Sequence, residues 1–89
     1  MKEPNYYLDK LYEIHSNKGI HQATIDLVEG LIEDFEWLKE GHEYPVNTEA
    51  MIGDASYNVH NFIEICDMRT KDYPVLTELY NLFNESWML

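Results

Sequence analysis

The chain has 89 residues, 17 of them acidic and 6 basic, for a formal charge of −11. That length fits one hydrophobic core, and a hydrophobic fraction of 45% is enough to fill it, so disorder and a second domain are both unexpected. A field of that sign repels phosphates, which argues against direct binding to nucleic acid or an anionic membrane surface and favours a basic protein as partner.

The apolar spacing predicts four helices. The first covers about Asn5 to Ser16, with Tyr7, Leu8, Leu11, Ile14 and His15 on one side. Asn17, Lys18 and Gly19 stop it. The second covers about Ile20 to Lys39, with Ile20, Thr24, Leu27, Val28, Leu31, Phe35 and Leu38 as its buried stripe. Gly30 interrupts this helix at a cost of about 1 kcal/mol relative to alanine. Glu40-Gly41 ends it, and His42 to Pro45 form a loop.

Asn47 is the expected N-cap of the third helix, which runs to about Arg69 with Ile52, Ala55, Val59, Phe62, Ile63 and Cys66 inward. Asp72 caps the fourth, which tolerates Pro74 in its first turn and runs almost to Leu89. Val75, Leu76, Leu79, Phe83 and Trp87 form its apolar face. No segment alternates with the two-residue period of a strand. Short connections favour antiparallel neighbours, so the expected fold is all-α: one acidic helical domain over residues 1–89, built as a small antiparallel four-helix bundle.

The second helix carries the clearest candidate for function. Asp26, Glu29, Glu33, Glu36 and Glu40 alternate three- and four-residue steps and so fall within about a quarter of the helix circumference. They lie largely opposite the Leu27/Leu31/Phe35 stripe and should face water. Like charges one turn apart repel, so the row costs helix stability. Such a row resembles part of a phosphate backbone and suits a basic protein surface; an ordinary solvated face is the plainer reading. Trp37 projects at the edge of the row, where it reads either as an interface anchor or as a ring buried against the Tyr44-Pro45 loop.

Catalytic and metal chemistry find little support. Cys66, the one cysteine, sits on an inner stripe where an apolar setting makes a thiol inert, and it leaves no intrachain disulfide. His60 has Glu64 one turn on and Asp67 nearby, but no Glu-x-x-His or zinc spacing appears. No Gly-rich phosphate loop or Gly-x-Ser-x-Gly turn is present. No cofactor is expected. The N-terminal MKEPNYYLDK lacks the apolar core of a secretory signal, and no stretch has the length of a membrane span, so a cytoplasmic location is expected.

Two resemblances frame the choice of function. Glu33-x-x-Glu36 and Glu64-x-x-Asp67, on separate helices, resemble the paired acidic motifs of the all-helical MazG-type nucleotide pyrophosphohydrolases. That resemblance covers these four residues and implies Mg²⁺-dependent hydrolysis of a nucleotide polyphosphate. Leu31-Ile32-x-x-Phe35-Glu36-x-Leu38 with Glu40 is similar to the second helix of the immunity proteins that neutralise nuclease bacteriocins, and Tyr44-Pro45 faintly resembles their tyrosine-rich segment. The long third helix departs from that family. The leading expectation is a non-enzymatic inhibitor of a basic, nucleic-acid-interacting protein, of the immunity-protein, antitoxin or phage DNA-mimic type, with Asp26, Glu29, Glu33, Glu36, Trp37 and Glu40 as its contact residues. The alternative is the MazG-like hydrolase. A homodimer is compatible with the first, because Ile25, Ile32, Ile65 and Met68 are surplus to the predicted stripes.

Overall fold

A computed structural model describes residues 3–41 and 48–88, with side chains described over 3–41 and 50–84. Four helices account for most of this: α1 Pro4–His15, α2 Gln22–Lys39, α3 Thr48–Ile65 and α4 Asp72–Met88. No strand occurs among the described residues.

Helix α1 begins with Pro4 in its first turn, where the missing N–H costs nothing because that donor has no intrahelical acceptor. It closes at Ser16, whose N–H donates to Tyr12 O and whose hydroxyl donates to Glu13 O. Gly19 then takes φ +87°, a backbone conformation in which a side chain is strained. The sequence places Ile20 inside the second helix. Instead His21 is an extended N-cap with ψ 151°, and α2 starts one residue later. At the other end Gly41 takes φ +92°, and its N–H donates to Leu38 O. Glycine therefore stops α2 where expected, by entering the left-handed region and satisfying a last-turn carbonyl.

Helix α3 stops at Ile65, four residues before the expected Arg69. Asp67 explains the early end. Its carboxylate accepts the Arg69 N–H at 2.9 Å and two guanidinium bonds at 3.0 and 3.1 Å. Its carbonyl accepts both the N–H and the hydroxyl of Thr70. A side chain that offers the backbone a turn in this way competes with continuing the helix. Cys66 consequently leaves the helix. It is half-buried in the connection, with Sγ 3.5 Å from Thr70 Oγ1. The expected Asn47 cap and the inward Trp87 lie outside the described side chains.

In the core, α1 packs on α2 and α3 on α4. The core gathers Tyr7, Leu8, Leu11 and Ile14 from α1 with Val28, Leu31 and Phe35 from α2. The other pair supplies Met51, Ile52, Ala55 and Val59, then Leu76, Leu79, Leu82 and Phe83. Three rings join α1, α2 and α4: Tyr7 stacks on Phe35 at 4.8 Å and on Phe83 at 5.9 Å, and Phe35 lies 5.9 Å from Phe83. Met51 and Leu82 are buried although the stripes leave them out. Leu27, Leu38, Phe62, Ile63 and Val75 sit at the margin, half-buried against the core.

Asp72 makes a polar tie at one end of the molecule. It is the first residue of α4 and is only 2% exposed. Its carboxylate accepts the Thr24 hydroxyl at 2.5 Å, the His21 N–H at 3.1 Å and a bond from His21 Nδ1 at 2.9 Å. It thus serves the first turn of α2 as well as its own, where the partial positive charge of a helix N-terminus favours an anion. Burial pushes this carboxyl up, but the bonds from Thr24 and His21 outweigh burial and hold it below the ordinary aspartate range. Among the described residues no helix is long and apolar enough to cross a membrane.

Candidate functional site

The acidic row on α2 forms one face, but α1 divides it. Tyr12 and His15 are one turn apart on α1 and reach across to the row. The Tyr12 hydroxyl donates to Glu36 Oε1 at 2.7 Å, and His15 Nε2 lies 3.1 Å from Glu29 Oε1. The bond to Glu36, with smaller contributions from desolvation and the Glu36 charge, pushes the Tyr12 phenol above its ordinary range. Glu36 is half-buried as a result, rather than fully in water as its helical phase implies.

Asp26, Glu33 and Glu40 are exposed, and Asp26 accepts a bond from Gln22 one turn before it. Their seven-residue spacing places them about 10.5 Å apart along the helix, nearly in line. Trp37 lies on the same side and is 47% exposed. The six candidate residues thus lie on α2 and its C-cap Glu40, with Glu29 and Glu36 braced by α1 and the other four on the outward strip. Asp34 is a further acid of this helix, on its other flank. Burial, and secondarily the Glu33 charge, push its carboxyl up.

Sequence reasoning missed the role of Tyr12 and His15. The available signal was their spacing of three on α1 against seven between Glu29 and Glu36 on α2. That spacing becomes informative only once the two helices are placed side by side.

The four acids of the hydrolase-like pattern are engaged elsewhere or apart. Glu36 takes the Tyr12 proton donor, Glu64 pairs with His60 at 2.9 Å, and Asp67 is held by Arg69. The two Arg69 bonds, side chain first and backbone second, hold the Asp67 carboxyl below its usual range. Among the described residues no group of three or more His, Cys, Asp or Glu side chains is placed to hold a metal ion. Compared with protein-family models, with curated proteins and with solved structures, the chain matches none of them.

Proposed function

We propose that this chain is a non-enzymatic acidic binding protein that docks the outer face of α2 onto a basic, nucleic-acid-interacting protein and blocks it. The observation that carries this reading is the exposed strip of Asp26, Glu33, Trp37 and Glu40, set beside two carboxylates that α1 holds in place. Carboxylates on such a strip steer a cationic partner and set register, while a large exposed ring supplies contact area at the centre. Bracing Glu29 and Glu36 lowers the entropy lost when a partner's lysine or arginine engages them. The class is that of immunity proteins, antitoxins and phage DNA mimics acting in the cytoplasm, and the sign of the charge argues against direct binding to nucleic acid.

The scaffold we infer is a single-domain antiparallel four-helix bundle. Tyr12 meets Glu36 while His15 meets Glu29, so advancing along α1 means retreating along α2. The connections from Ser16 to His21 and from Cys66 to Lys71 are short, as expected between antiparallel neighbours.

The test is a charge reversal that spares the α1 contacts. Tagged wild-type chain and the Asp26→Lys/Glu33→Lys/Glu40→Lys variant are used to capture proteins from host lysate at low and high salt, with and without added duplex DNA. A basic protein should be retained by the wild type at low salt, displaced by the DNA, and lost by the variant and by Trp37→Ala. Equal retention by wild type and the charge-reversed variant would remove α2 as the contact surface.

A further inference from the structure

We draw no further inference here: the strongest candidate, the cavity of about 410 Å³ between the first turn of α2 and the connection from α3 to α4, brings Cys66 to the same walls as the His21–Asp72 pair, but the thiol bonds to Asp67 and Thr70 rather than to the imidazole, and among the described residues nothing beside this one cysteine points to a ligand.

Discussion

Replacing Asp72 with alanine should be among the most damaging single changes to this protein outside its apolar core. The carboxylate is 2% exposed and Thr24 is 3% exposed, so the variant leaves the Thr24 hydroxyl without its acceptor in a place water does not reach. Losing a charge-assisted hydrogen bond costs about 1.5–3 kcal/mol, and stranding the His21 N–H adds about 1 kcal/mol more. The total is about 3 kcal/mol, a large part of the stability of a domain this size. Asp72→Asn keeps the shape and one acceptor oxygen but removes the charge at two helix N-termini. Its cost should be smaller, about 1–2 kcal/mol. The pH dependence separates the charge from the shape. The folded-state carboxyl lies below the ordinary range, so it contributes stability above the unfolded value of about 3.9 and loses that contribution as pH falls through the folded value. Urea unfolding of wild type and Asp72→Asn should therefore show a gap that is full at neutral pH and closes in strong acid. An alanine variant that loses less than about 1 kcal/mol at neutral pH, or an Asn gap that does not shrink with acid, would refute the assignment of Asp72 as the tie between α2 and α4.

Two further outcomes follow from single positions. Gly30 sits mid-helix on the exposed side of α2, and a methyl group added there meets nothing within 4 Å. Gly30→Ala should raise stability by about 1 kcal/mol and the melting temperature by about 4–8 °C, read by thermal denaturation. Tyr12 should titrate above the ordinary phenol range in a wild-type minus Tyr12→Phe ultraviolet difference titration, and Glu36→Gln should bring that titration back down.

The fold class was legible because the information is local. Helical spacing of Leu8, Leu11 and Ile14, or of Val28, Leu31 and Phe35, survives whatever the helices pack against, and all six are buried. Glycine stops were equally legible, since Gly19 and Gly41 both take the positive φ that such signals imply. The end of α3 was not. Cys66 continues the apolar period of that helix, so periodicity runs on past Ile65. What ends the helix is Asp67 bonding to the Arg69 backbone, a competition that apolar spacing does not register. Asp72 shows the same limit from the other side. Its cap position was visible, but its burial and its bonds to His21 and Thr24 join residues about fifty apart in sequence, which no window along the chain contains.

For the candidate site, helix phase located the row but treated its five acids as equivalent. Packing makes them two sets. Glu29 and Glu36 lie on the flank of α2 nearest α1, where His15 and Tyr12 meet them, whereas Asp26, Glu33 and Glu40 lie on the outer side; of the five only Glu36 is half-buried. This division has an energetic consequence. Like charges in a row repel, and two α1 side chains that bond to the second and fourth members offset part of that repulsion where the members are closest to the core. The remaining three are about two turns apart, so their mutual repulsion is weaker. The helix therefore keeps a strong outward field without stacking every charge one turn from the next. The charge reversal is aimed at Asp26, Glu33 and Glu40 for this reason. Changing Glu29 or Glu36 would disturb α1 and any partner at once, whereas changing the outer three leaves the Tyr12 and His15 contacts as they are.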